Sequence, residues 1–171
     1  MATDQANDDA RRLLDEAPCF SVLAAGAGKT ELLARCCAVS PDDARRTLLL
    51  THTNAGVEVL RRRIALVGGD PRRTHVATIA GWCEALCRRY PLLAGWADLE
   101  SEESRDYHAI YAGAATVLES HGIRRMLSAS WSAALVDEYQ DCSKDQHGVV
   151  VALNQSIPTI VVGDPLQSIY T

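Results

Sequence analysis

The segment Ala25-Gly26-Ala27-Gly28-Lys29-Thr30 sets two glycines, a lysine and a hydroxyl residue in the order that cradles a phosphate. Gly26 and Gly28 let backbone N–H groups approach phosphate oxygens, and a helix opening behind them adds a favourable dipole. Lys29 is then a point charge for the β- and γ-phosphates, and the Thr30 hydroxyl a ligand for Mg²⁺. Leu23 stands where the full phosphate-loop pattern places a further glycine. A nucleoside triphosphate also needs an acid for the metal and a group to orient water. Val136-Asp137-Glu138-Tyr139-Gln140-Asp141 supplies both: Asp137 for the metal's water shell, Glu138 to polarise the attacking water. Gln167, in Gly163-Asp164-Pro165-Leu166-Gln167-Ser168, is a neutral amide that can sense a γ-phosphate without competing for the metal. The implied chemistry is Mg²⁺-assisted ATP hydrolysis, with Lys29, Asp137, Glu138 and Gln167 as the catalytic set.

Such residues must be brought together by a scaffold, and hydrophobic periodicity outlines it. Short apolar runs at 20–24, 47–51, 75–78, 133–136 and 159–162 read as strands. Helical spacing is predicted over 30–39, 57–67, 79–90, 102–122 and 145–154, with Gly68-Gly69-Asp70-Pro71 ending the second of these. Strands alternating with helices predict an α/β domain: a mainly parallel sheet between helical layers. Ligands in such sheets bind beyond the carboxyl ends of the strands. The phosphate loop and the Asp137–Glu138 pair are expected on neighbouring strands.

Composition excludes several alternatives. With 171 residues, 47% hydrophobic and 23% charged, the chain suits one globular domain rather than a disordered one. No apolar run approaches the roughly 20 residues of a membrane span, and residues 1–10 carry acids and no signal-type apolar core, so a cytoplasmic location is expected. Seventeen basic against twenty-two acidic residues give a net charge of −5, so any nucleic-acid contact has to be local. Fifteen of those cations are Arg; the two Lys are Lys29 and Lys144. The six cysteines contain no C-x-x-C pair and read as reduced structural thiols, with Cys83 and Cys87 on one helix face. Trp82 reads as core.

Taken in order, these segments resemble the N-terminal RecA-like motor domain of UvrD/Rep-type superfamily 1 DNA helicases, from about residue 20 to residue 171. Ala25–Thr30 is similar to the family's motif I, and Thr51-His52-Thr53-Asn54-Ala55-Gly56 to motif Ia. Thr78-Ile79-Ala80-Gly81-Trp82 is similar to motif Ib, Asp137–Asp141 to motif II, and 163–170 to motif III. The resemblance implies a three-layer RecA-like P-loop NTPase domain spanning 1–171. It also implies coupling of ATP hydrolysis to 3′–5′ movement on single-stranded DNA. By position, His52, Thr53, Asn54 and Thr78 would contact the DNA; His52 stands where many relatives carry Phe. Arg61–Arg63 are either phosphate contacts or a solvated helix face, and Gln5 is not assigned to adenine recognition. Residues 91–130 are shorter than the family's accessory domain and read as a reduced helical insertion. The second RecA-like domain, with its arginine fingers, would come from elsewhere in a longer chain or from a partner, so the 171 residues alone are expected to bind ATP with little turnover. The alternative is a non-catalytic helicase-like subunit acting through partner binding.

Overall fold

The computed structural model describes residues 2–22, 28–40, 44–96 and 106–164. Helix α1 (Ala2–Asp15) leads through a cis Ala17–Pro18 bond to β1 (Cys19–Val22). There follow α2 (Lys29–Val39), β2 (Arg46–Thr51), α3 (Asn54–Leu66), β3 (Thr74–Thr78), α4 (Ile79–Arg89) and the short α5 (Pro91–Ala94). Next come α6 (Tyr107–Glu119), α7 (His121–Ser130), β4 (Trp131–Val136), a 3-10 turn (Tyr139–Asp141), α8 (Lys144–Asn154) and β5 (Thr159–Gly163). The five strands pair parallel throughout, in the order β1-β5-β4-β2-β3.

Strand composition follows position in that sheet. Ala134, Leu135 and Val136 of the central β4 have no exposed surface, as a parallel strand covered on both faces requires. Leu48, Leu50, Ala134 and Val136 join α4, α6, α7 and α8 in one core, whereas Leu49, Leu135, Ile160 and Val162 join α1, α2 and α3 in the other. The two-residue period of each strand therefore feeds two cores, and the result is a three-layer α/β domain consistent with a RecA-like fold. Edge strand β1 is half covered: Phe20 and Val22 are 51% and 57% exposed.

The elements depart from expectation in three places. The phosphate-loop strand and the Asp137 strand are not neighbours, because β5 lies between them and pairs with both: Ile160 faces Cys19 on one side and Leu135 on the other. Residues 102–122 do not form one helix: α6 starts at Tyr107, where Asp106 accepts from the Ala109 N–H at 3.2 Å, and α7 is a separate helix. Helix α1 has no counterpart in the sequence reading: it is mostly polar, and among its described side chains only Ala10 and Leu13 are buried. Among the described residues no helix is long and apolar enough to cross a membrane. The six cysteines are free, and Trp82, Cys83 and Cys87 are core residues. Burial pushes the Cys36 and Cys37 thiols up to about 12, which keeps them protonated and inert.

Candidate nucleotide site and helix-terminus surface

Lys29 is the first residue of α2, and Gly28 before it has φ +81°, a left-handed conformation in which a side chain would be strained. Among the described residues no side chain caps this helix. Lys29 is only 8% exposed, and its Nζ donates to Glu138 Oε2 at 2.9 Å. Two strand spacings, about 10 Å, separate the strands that lead into these residues. The long lysine side chain and the turn after β4 close that gap. Glu138 itself has φ 50° and ψ 45°, the left-handed region, unusual for a residue with a side chain. Backbone strain of this kind persists where the surroundings hold it, and the holds here are specific. Gln140 Nε2 donates to the same carboxylate oxygen at 2.8 Å, while Gln140 Oε1 accepts from the Asp164 N–H at 3.0 Å. Gly163 makes this close approach possible: a Cβ there would stand 2.7 Å from Gln140 Oε1 and 3.2 Å from the Gln140 nitrogen.

Asp137 continues the β4 ladder, its N–H donating to the Leu50 carbonyl at 2.9 Å, and its Oδ1 accepts from the Glu138 N–H at 3.0 Å. Burial, reinforced by the neighbouring Glu138 charge, pushes its carboxyl up to about 6. The Lys29 charge opposes this shift without cancelling it. Glu138 moves the opposite way. Its own burial would raise it, but the hydrogen bonds from Gln140 and Lys29 and the Lys29 charge hold it below the usual carboxylate range. Two adjacent acids thus differ: burial raises Asp137, while Lys29 and Gln140 hold Glu138 low.

The residues present fit Mg·ATP. Lys29 is desolvated and pointed across the strand ends, no side chain caps the α2 N-terminus among the described residues, and Asp137 is buried beside Glu138 with its carboxyl raised. Among the described residues no three His, Cys, Asp or Glu side chains cluster as a self-sufficient metal site. Magnesium commonly takes one or two protein oxygens together with substrate phosphates, which is what Asp137 and the half-buried Thr30 could supply. Ala25, Gly26, Ala27 and Gln167 lie outside the described residues.

The second group of expected contacts lies at the ends of β2 and β3. Thr53 caps α3, its hydroxyl accepting from the Gly56 N–H at 3.0 Å, and Thr78 caps α4 by accepting from the Gly81 N–H at 3.0 Å. Asn54 is exposed at the first position of α3. Adjacent parallel strands therefore end in two helix N-termini side by side, a surface of partial positive charge suited to a phosphodiester. His52 lies in the same β2–α3 turn. It is half-buried, with Nε2 3.7 Å from Cys142 Sγ. Burial lowers its pKa, opposed by the charge of Asp141 and by the backbone and charge of nearby Glu138. Of the arginine triplet, Arg61 pairs with Glu58 and donates to the Val76 carbonyl at 3.0 Å, and Arg63 pairs with Glu31. Gln5 is exposed and donates to Asp9 within its own helix. Gln140 and Cys142 went unassigned in the sequence reading, although the acid-amide spacing of 137–141 was visible there.

Residues 96–171 match the family model of the UvrD/REP helicase N-terminal domain. The match covers the Asp137–Glu138 and Gly163–Asp164 segments and is consistent with the N-terminal part of a UvrD-like helicase; it supports a helicase-type function. The Lys29 loop and the β2 and β3 ends lie outside the matched stretch. No curated protein matches the chain.

Proposed function

We propose that the chain is the ATP-binding N-terminal portion of a UvrD-like DNA helicase, whose intact form couples ATP hydrolysis to 3′–5′ translocation on DNA and its unwinding. The observation that carries this reading is the Lys29–Glu138 ion pair beside the buried Asp137 at the carboxyl edge of a parallel sheet. Bound Mg·ATP would supply a phosphoanhydride and a metal cation. Lys29 would exchange its carboxylate partner for phosphate oxygens, together with the backbone of Ala25, Gly26, Ala27 and Gly28. Thr30 and Asp137 would hold the metal. Glu138, released from Lys29, would be the base that orients water, steadied by Gln140, and Gln167 would report on the γ-phosphate. The α3 and α4 N-termini, with Thr53, Asn54 and Thr78, would carry the single-stranded DNA backbone. Residues 91–130 would stand in place of the family's accessory domain, and the protein would work in the cytoplasm.

Arginine fingers would come from a second RecA-like domain or a partner chain, so the 171 residues alone should bind Mg·ATP and turn it over slowly. Titrating the chain with Mg·ATP while following phosphate release tests this. Saturable binding with near-background release is expected; no saturable binding counts against the reading. A second reading, a non-catalytic subunit that recruits a partner, is favoured by exposed Phe20 and Val22 on edge strand β1. It predicts stable association with another chain and no nucleotide binding.

A further inference from the structure

The turn that joins α3 to β3 is tied down by its own main chain. The Gly68 N–H donates to the Ala65 carbonyl at 3.2 Å and the Gly69 N–H to the Ile64 carbonyl at 2.9 Å, closing the helix end. A Cβ on Gly69 would stand 2.6 Å from Ile64 Cγ2, so the turn lies directly against the helix. Further along, Asp70 accepts from the Arg72 N–H through Oδ1 at 2.8 Å and from the Arg73 N–H through its carbonyl at 3.0 Å. Between this fixed turn, the second half of α3 and the start of β3 lies a cavity of about 320 Å³. That is the small end of the range for ligand sites. Ile64, Ala65, Pro71 and Val76 give it an apolar lining. It opens near the amino end of β3, whereas Thr78 ends that strand on the side that caps α4.

One permanent charge reaches this cavity. Arg61 Nη2 donates to the Val76 carbonyl at 3.0 Å, which fixes the guanidinium over edge strand β3. Its partner Glu58 is 3.4 Å from Nη1 and 73% exposed, a pair of little worth in water. Of the five guanidinium N–H groups, these two contacts leave the others for a further acceptor. His75 adds a second polar edge. Burial lowers its pKa, and the charges of Arg46 and Arg61 lower it further, the sign of a positive local field. No acidic side chain is among the described residues that line the cavity.

We propose that this cavity is a binding site for a small organic acid, its apolar body against Ile64, Pro71 and Val76 and its carboxylate on Arg61. A planar guanidinium matches a carboxylate in two parallel hydrogen bonds, and holding Arg61 in place beforehand lowers the ordering cost of binding. The site belongs to neither half of the carboxyl edge. None of its residues touches Lys29 or Glu138, so it stands whether or not the chain binds nucleotide.

The probes are hydrocinnamate and its neutral counterpart hydrocinnamyl alcohol, titrated into the isotope-labelled full chain while backbone amide shifts are followed by NMR. Hydrocinnamate should give saturable shifts centred on Ala65, Gly69 and Val76, with half-saturation in the low millimolar range or below. The alcohol should bind there about tenfold more weakly, for want of a charge-assisted contact. Arg61→Gln, which retains a donor for the Val76 carbonyl, should bring the acid down to the affinity of the alcohol and leave the alcohol unchanged. Ala65 is exposed, so Ala65→Phe blocks the mouth without entering the core and should abolish binding of both probes. Thermal melts confirm that each variant is folded. Equal affinity for acid and alcohol in the wild type overturns the inference, as does a folded Arg61→Gln that holds the acid as tightly as wild type. Shifts that are absent, or scattered over the surface and indifferent to Ala65→Phe, overturn it as well.

Discussion

The carboxyl edge of this sheet has two halves built on different physics. Across β1, β5 and β4 the polar groups are buried and charged: Lys29, Asp137 and Asp164 are 8%, 7% and 5% exposed, and Glu138 is held in a strained backbone. Across β2 and β3 the groups are neutral and more open, and threonine hydroxyls cap the N-termini of two helices. Buried charge is costly to assemble but strongly directional, which suits one ligand in one pose. Helix N-termini are weak and tolerant, which suits a repeating backbone passing over them.

The sharpest way to break this contrast is Lys29→Ala. Removing the cation should weaken Mg·ATP binding by roughly a hundredfold, the worth of a desolvated charge-assisted contact, as titration calorimetry would measure. Asp137→Asn comes next and acts on stability. A carboxyl raised to about 6 destabilises the fold once ionised, so this cost is complete above that pH and fades as pH falls towards the unfolded value near 4. The Asn variant should therefore be more stable than wild type at pH 7, by on the order of 2 kcal/mol in urea unfolding, with the advantage shrinking as pH drops through 6. In the second half, Thr53→Ala and Thr78→Ala should each cost about 1 kcal/mol, the loss of one N-cap. No pH dependence is expected of either.

The smallest effect belongs to an exposed pair outside both halves. His108 is bonded to Asp145 at 2.9 Å, and that hydrogen bond and charge raise its pKa. Its contribution to stability is present below the ordinary histidine range and is lost as pH rises through the raised value, the reverse of Asp137. His108→Ala should lower the melting temperature slightly near pH 5 and leave it unchanged near pH 9.

Legibility in the sequence followed the same division. Alternating apolar runs located the five strands to within two residues at each end, and the Asp137–Gln140 spacing announced an acid-amide turn. Strand order did not follow from the runs, because nothing in β5 says that it inserts between β1 and β4. Helix α1 escaped because it is mostly polar and gives few apolar residues to mark it. His52 read as a DNA contact from its place in the motif, and its contact with Cys142 could not be read there. The left-handed Glu138 was equally hidden, since an isolated glutamate gives no reason to expect it.

The central claim is that the Lys29–Glu138 pair is the resting state of a nucleotide site rather than a structural bridge. The most direct test is the affinity of Glu138→Gln for Mg·ATP, measured beside wild type and Lys29→Ala. If Lys29 exchanges partners, neutralising Glu138 removes a competitor, and the variant should bind at least as tightly as wild type while Lys29→Ala fails. A loss in Glu138→Gln as large as that in Lys29→Ala would show that the pair holds the fold together, and would contradict the account.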